Sequence, residues 1–315
     1  MRRPLLALLF LAVAAPVAVA ADEPALLVPP SLGRPDAVWI AGRVLEEAHG
    51  QHGPTAFRNA RALTVSNLVG ARVEVRFLGR TATAVSGHDG EFEVALAAAP
   101  GAPFAAGAQP VEVSTGRVTL TSTVHVVPPD APFIVVSDFD DTVAVTHVES
   151  KRKVLATTFL KDGETQPAVD GMARFYRCLA AAGPPGPGFA FVSGSPIQIA
   201  PRIGRFLEKN GFPPAALHLR NLGPDTLSGY KEPVLRKLAA RFPQPLVLVG
   251  DSGEKDPEIY AALAKELPGR VKRIYVRRAG PKGKASRYDG ELLFKDPAEA
   301  LRDAAGLGLV AADCR

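Results

Sequence analysis

From Pro132 onward the chain alternates between two kinds of segment, and that alternation restricts the fold more than any other feature. PFIVVS, GFAFVSG, ALHLR, PLVLVG and VKRIYVR are apolar or β-branched runs of strand length. Between them lie AVDGMARFYRCLAAAG, PIQIAPRIGRFLEKNG, KEPVLRKLAARFP and PEIYAALAKELPG, which read as helices. The punctuation agrees. Gly183 and Gly211 stand at two helix ends, Pro196 falls in one first turn, and Pro243 closes another helix. Strand and helix in strict alternation specify a parallel sheet with helices on both faces. The expected class over residues 130–315 is therefore α/β, with a Rossmann-like parallel sheet.

A different rhythm precedes it. VWIAGRVL, ARVEVRFLG, TATAVSG, EFEVALA, PVEVSTG and RVTLTSTVHVV are short β-runs separated by turns such as His88-Asp89-Gly90. They predict a small all-β sandwich over residues 37–129, closed by Pro128-Pro129. Residues 21–36 are rich in Pro and Ala and read as a loose leader. Residues 1–20 have the layout of a secretory signal: Arg2 and Arg3, an apolar run from Leu5, and small residues at Ala18-Val19-Ala20. That run is short for a membrane anchor, so cleavage near Ala20 and a periplasmic or secreted protein are expected. Removing Arg2 and Arg3 leaves 35 basic against 32 acidic side chains, about +3, too little to argue for nucleic acid. Export would allow Cys178 and Cys314 to pair, although a buried thiol plus a tail thiol is the simpler reading.

Ligands of parallel sheets bind beyond the carboxyl ends of the strands. The first strand here runs into SDFDDT, which places Asp138, Asp140 and Asp141 within four positions. The second ends in Ser193, Gly194 and Ser195, and the fourth in GDSGEKD, with Asp251 and Asp256. Each motif alone is often only a turn or a helix cap. Side by side, these carboxylates repel unless a cation neutralises them, and oxygen ligands suit Mg²⁺. Mg²⁺ held this way usually meets phosphate. One aspartate then serves as nucleophile toward phosphorus and another, two residues on, as acid and base. Ser193 and Gly194 are placed to hold a phosphoryl oxygen. Lys231, opening the helix after the third strand, would neutralise charge that develops there; Lys237 lies too far into that helix.

The ordered set resembles the haloacid dehalogenase superfamily: DxDxT at Asp138–Thr142, a serine at Ser193, a lysine at Lys231, and acids at Asp251 and Asp256. SDFDDTVAVTHV, AVDGMARFYRCL, FVSGSPIQIAPRI and GDSGEKDPEIY are more narrowly similar to the catalytic domain of the actin-patch phosphatidate phosphatase family, over about residues 132–280. That resemblance implies a haloacid dehalogenase-like fold with Asp138 as nucleophile and Asp140 as general acid and base. It implies a Mg²⁺ site drawn from Asp138, the backbone carbonyl of Asp140, and Asp251, with Asp256 supporting that shell or orienting Lys231. Asp141 and Thr142 are assigned to shaping the turn.

Between Asp141 and Ser193, and between Ser193 and Lys231, there is no room for a large cap domain. An open crevice favours a bulky phosphorylated lipid; another phosphomonoester, on a protein or a soluble molecule, is the alternative. A non-catalytic surface-binding protein is the reading from another class, but all six motif residues are intact. VESKRKVLATTFL sets basic beside apolar residues, a composition suited to contact with a membrane surface or to an ordinary solvated flap. Arg277 and Arg278, ending the last strand on the crevice side, are candidates to grip an anionic substrate. His147 follows the first motif without metal-ligand spacing.

Overall fold

The computed structural model describes residues 24–46, 66–145, 166–221, 227–279, 283–311 and 313–314. Residues 1–20, His147 and the VESKRKVLATTFL stretch lie outside the described residues.

The N-terminal region is one sheet of eight strands: β1 (Ala25–Leu27), β2 (Ser31–Gly33), β3 (Ala37–Leu45), β4 (Arg72–Phe77), β5 (Arg80–Val85), β6 (Glu91–Ala97), β7 (Gly107–Thr115) and β8 (Val118–Val126). Their order is β1-β3-β2-β8-β7-β4-β5, with β6 paired to the other side of β3. All pairs are antiparallel except β2 with β8. Strand alternation builds the core: Phe92, Val94 and Leu96 of β6 turn inward, and Glu91, Glu93 and Ala95 turn out. They meet Val38, Ile40, Val73, Val75, Val111, Val113 and Val124 in one apolar cluster. All eight strands belong to one continuous hydrogen-bonded sheet around that core, an antiparallel β-rich region. The leader differs from expectation, because β1 and β2 belong to the sheet. Each is three residues long, too short to show alternation in the sequence.

The second sheet is wholly parallel. Its strands are β9 (Ile134–Ser137), β10 (Gly188–Pro196), β11 (Ala216–Arg220), β12 (Leu246–Asp251), β13 (Val271–Arg277) and β14 (Leu292–Phe294), in the order β11-β10-β9-β12-β13-β14. Chain direction across the sheet therefore reverses between β9 and β12, the switch point where doubly wound sheets open a crevice. Both faces are covered. Val135, Phe189, Phe191, Val247 and Val249 pack against α1 (Met172–Ala180), α2 (Ala200–Lys209) and α5 (Pro297–Gly306). Ile134, Val136, Ala190, Leu246 and Leu248 pack on the other side against α3 (Leu227–Arg241) and α4 (Asp256–Glu266). Double coverage explains why β9 and β12 are buried at every position.

The two sheets touch through charge and an aromatic ring. Glu93 on β6 accepts from Lys237 at 2.5 Å and Arg241 at 2.8 Å, both on α3. The Trp39 ring lies under the guanidinium groups of Arg34 and Arg241, 5.5 and 4.7 Å from its centroid. Cys178 on α1 and Cys314 form a disulfide, with their Cα atoms 5.5 Å apart, in place of the two free thiols that the simpler reading expects. The bond ties the end of the chain to the helix packed against β9. Replacing Cys314 with serine should lower the unfolding free energy by about 2–5 kcal/mol. Urea unfolding followed by circular dichroism measures it, and an unchanged midpoint would mean that the bond constrains nothing.

Candidate active site

The switch point brings four loops together. β9 runs into Asp138, whose N–H bonds to the Val249 carbonyl of β12 at 2.8 Å. Asp141 then takes a left-handed conformation, φ 51°, and turns the chain sharply away from the sheet. Asp138, Asp140, Ser193, Ser195, Lys231, Asp251 and Asp256 are all buried. The structure thus assembles the catalytic and metal-ligating residues expected from the sequence in one place.

Lys231 is the centre of the charge arrangement. Its side chain is 1% exposed, and its Nζ donates to Asp138 Oδ1 at 2.8 Å and Asp256 Oδ1 at 2.6 Å. Glu254 Oε2 lies at 3.4 Å on the same nitrogen. Burial by itself would pull the ammonium pKa down, but Asp138 and Asp256 outweigh it and hold Lys231 well above the usual lysine range. Lys237, the alternative, points to Glu93 on the other sheet. Asp256 stands in the first turn of α4, and its side chain crosses the backbone at Gly250. A Cβ on Gly250 would meet Asp256 Oδ2 at 2.5 Å and Tyr260 at 2.8 Å, so only glycine fits.

The carboxylates are under-neutralised. Burial pushes the Asp138 carboxyl well above the usual range; Lys231 opposes, while Asp256, Glu254 and Asp251 push it further up. Asp251 is raised by burial and then by Asp256 and Glu254. Asp138, Asp251 and Asp256 each offer an oxygen within 4.8 Å of the others. Asp251 Oδ2 is buried without a hydrogen-bond partner, although Oδ1 accepts from the Gly253 N–H at 2.6 Å. Hard oxygen ligands, unmet negative charge and an orphaned buried oxygen fit a divalent cation. The carboxylate of Asp140 is not part of this triad.

Asp140 is held differently. Ser193 Oγ and Ser195 Oγ both donate to its Oδ2, at 3.0 and 2.8 Å, and the Ser195 N–H donates to Ser193 Oγ at 3.0 Å. Its Oδ1 is buried and unpartnered. Burial raises the Asp140 pKa more than the two serine hydrogen bonds lower it. A carboxyl with one oxygen fixed and the other open, inclined to hold a proton, has the properties of a general acid. In this arrangement the Ser193 hydroxyl is directed at Asp140. Gly194 is half-buried between the two serines.

Arg277 also has a structural partner. Its Nη1 donates to the Asp141 carbonyl and braces the left-handed turn. Arg278 is half-buried, and its N–H donates to the Phe294 carbonyl at 2.7 Å. Three residues to which the sequence gives no part in the site make contacts there: Thr142 Oγ1 donates to Asp138 Oδ2 at 3.2 Å, Ser195 holds Asp140, and Glu254 approaches Lys231. Their signal was present, since each lies within a motif already identified.

Comparison with known proteins adds a family likeness. Residues 133–278 match the family model described as phosphatidate phosphatase APP1, catalytic domain. The chain is 30% identical over 151 residues to phosphatidate phosphatase APP1 of Saccharomyces cerevisiae, covering 45% of this chain and 25% of that protein. It is 32% identical over 153 residues to an uncharacterized protein of Schizosaccharomyces pombe, covering 45% and 24%. The chain therefore spans about a quarter of the length of these curated relatives. A carbohydrate acetylesterase from Xanthomonas citri aligns over 91% of this chain and 75% of its own at 15% identity, with a TM-score of 0.33, too low to bear on the fold.

The charge arrangement makes a direct prediction. Lys231→Met leaves Asp138 and Asp256 buried without their counter-charge and should cost about 3–5 kcal/mol in metal-free buffer. Lys237→Met removes a half-exposed ion pair and should cost about 0–1 kcal/mol. Equal losses in urea titrations of the two variants would contradict the central role given to Lys231.

Proposed function

We propose that the chain is an exported Mg²⁺-dependent phosphatase of the haloacid dehalogenase type, with residues 130–315 as its catalytic domain and a phosphatidate-like lipid phosphate as its substrate. The observation that carries this reading is the pairing of two differently held carboxylates, Asp138 on Lys231 and Asp140 on two serines, beside an oxygen cluster fit for a cation. The match of residues 133–278 to the phosphatidate phosphatase APP1 catalytic domain supports the substrate class.

The residues divide the work as follows. Asp138 attacks phosphorus, the bond from phosphorus to the alcohol oxygen breaks, and Asp140 gives its proton to that departing oxygen. The phosphoryl group is then an acyl phosphate on Asp138. Asp140, now ionised, takes a proton from water as the water oxygen attacks phosphorus. The bond to Asp138 breaks, and inorganic phosphate leaves. Lys231 stabilises negative charge beside Asp138 throughout, and Thr142 fixes the second Asp138 oxygen. Mg²⁺ held by Asp138 and Asp251, with Asp256 behind them, would supply charge neutralisation for the phosphoryl oxygens.

Two observations support export. The first is the signal-like segment 1–20, and the second is the Cys178–Cys314 disulfide, a bond that persists in oxidising compartments. Among the described residues no helix is long and apolar enough to cross a membrane.

Phosphate release from phosphatidate in mixed micelles tests the proposal. Activity should require Mg²⁺ and fall on the order of 10⁴-fold or more in Asp138→Asn. Asp140→Asn should lose about 10²–10⁴-fold on phosphatidate, and clearly less on an aryl phosphate whose leaving group needs no proton. Folded, Mg²⁺-loaded protein that releases phosphate only from soluble esters or phosphoproteins would overturn the lipid substrate; release from no ester at all would overturn the phosphatase.

A further inference from the structure

The loop between β12 and α4, residues 252–255, has no regular secondary structure, yet it separates Asp251 from Asp256 and carries Glu254. Small shifts here would move both carboxylates of the cation cluster. Three contacts at its start hold Ser252: its N–H donates to the Arg277 carbonyl at 2.9 Å, its Oγ donates to the Ala279 carbonyl at 3.2 Å, and the Ala279 N–H donates to its Oγ at 3.1 Å. Gly253 donates its N–H to Asp251, Lys231 reaches the Glu254 side chain, and the carbonyls of Ser252 and Glu254 are held from outside by Arg287.

Arg287 lies in a short 3₁₀ turn, Ala285–Tyr288, and each of its five N–H donors has an acceptor. Nη1 donates to the Ser252 carbonyl at 2.5 Å and to Tyr288 Oη at 3.3 Å. Nη2 donates to the Glu254 carbonyl and to Glu258 Oε2 at 3.1 Å, and Nε to Glu258 Oε1 at 2.6 Å. The planar fork therefore spans both loop carbonyls while a carboxylate on the first turn of α4 fixes its orientation. A lysine cannot reproduce this geometry. Arg287 also lies beyond residues 133–278, so the family match assigns it no role.

We propose that Arg287 is a positioning residue that clamps the 252–255 loop, setting the distance between Asp251 and Asp256 and hence the affinity of the carboxylate cluster for Mg²⁺. This rests on the metal-dependent reading of the site. Arg287 touches neither the cluster nor any reacting atom; it acts through the two loop carbonyls. Ligand-supporting residues of this kind are worth about 10–100-fold in metal affinity or activity.

The test compares wild type with Arg287→Lys by three readouts: amide hydrogen exchange over residues 251–256, Mg²⁺ titration by calorimetry, and kcat and KM for phosphatidate. The expected result is faster exchange confined to that loop, Mg²⁺ binding weaker by about 10–100-fold, and a fall in kcat with little change in KM. Glu258→Gln, which loosens the fork but keeps both carbonyl bonds, should shift all three in the same direction by less. Arg273→Lys, at a fork onto Asp303 on the far side of the sheet, should shift none. Unchanged exchange or unchanged Mg²⁺ binding in Arg287→Lys overturns the clamp, as does an equal effect from Arg273→Lys. A wild type that binds no Mg²⁺ overturns the clamp and the metal-dependent reading together. If wild type binds Mg²⁺ but releases no phosphate, while Arg287→Lys still loosens the loop and weakens binding, the clamp stands and the phosphatase reading falls.

Discussion

The two short bonds from Lys231 to Asp138 and Asp256 are the interaction on which the rest of the site depends. An ammonium this deeply buried is tolerated only because two carboxylates face it, and those carboxylates only because it faces them. One lysine does not balance Asp138, Asp140, Asp251, Asp256 and Glu254. The remaining cost appears in the raised proton affinity of Asp138, Asp140, Asp251 and Glu254, with burial the first cause in each. Folding has built a place where negative charge is expensive, a cost that the proposed divalent cation would relieve. The two carboxylates of the first motif are held differently: Asp138 faces the lysine, and Asp140 accepts from two hydroxyls, yet burial raises the proton affinity of both.

Much of this was legible because a parallel sheet leaves little freedom. Once strands and helices alternate, the carboxyl ends must lie together, and every polar residue just past a strand becomes a candidate. By that logic Asp138, Asp140, Ser193, Lys231, Asp251 and Asp256 are candidates, and Lys231 is a better one than Lys237. It stopped at residues whose role is set by direction rather than position. From sequence, Thr142 reads as a turn residue and Ser195 only as part of a strand end, because nothing in a sequence shows where a hydroxyl points. Arg277 and Ser193, candidates for the substrate, have contacts in the fold that a sequence does not show: the Asp141 carbonyl and Asp140.

What escaped the sequence was short or distant. β1, β2 and β14 have three residues each, below the length at which alternation carries information. Helix α5 did have a signal: Asp296 and Glu299 form a capping box around Pro297. The disulfide joins residues 136 apart, and no local pattern reports that the chain end returns to α1. Arg287 is harder still. Its importance comes from facing two carbonyls about thirty residues back, and a backbone carbonyl has no identity in a sequence.

The eight-stranded sheet offers no cluster of chemistry among its described residues, but its position is informative. Helix α3 carries Lys231 toward the crevice and, six and ten residues on, Lys237 and Arg241 toward Glu93 of the other sheet. The helix is thus held by charge at both ends, inside by Asp138 and Asp256 and outside by Glu93. The outer contact is partly exposed and weak alone, but Trp39 adds its ring against Arg241 and Phe242, and Leu217 of β11 donates its N–H to the Pro30 carbonyl. A residue placed to within a few tenths of an ångström of two carboxylates needs a helix that cannot slide. The N-terminal sheet gives that helix a second, independent point of attachment, which links the fold of the first third of the chain to the chemistry of the last two.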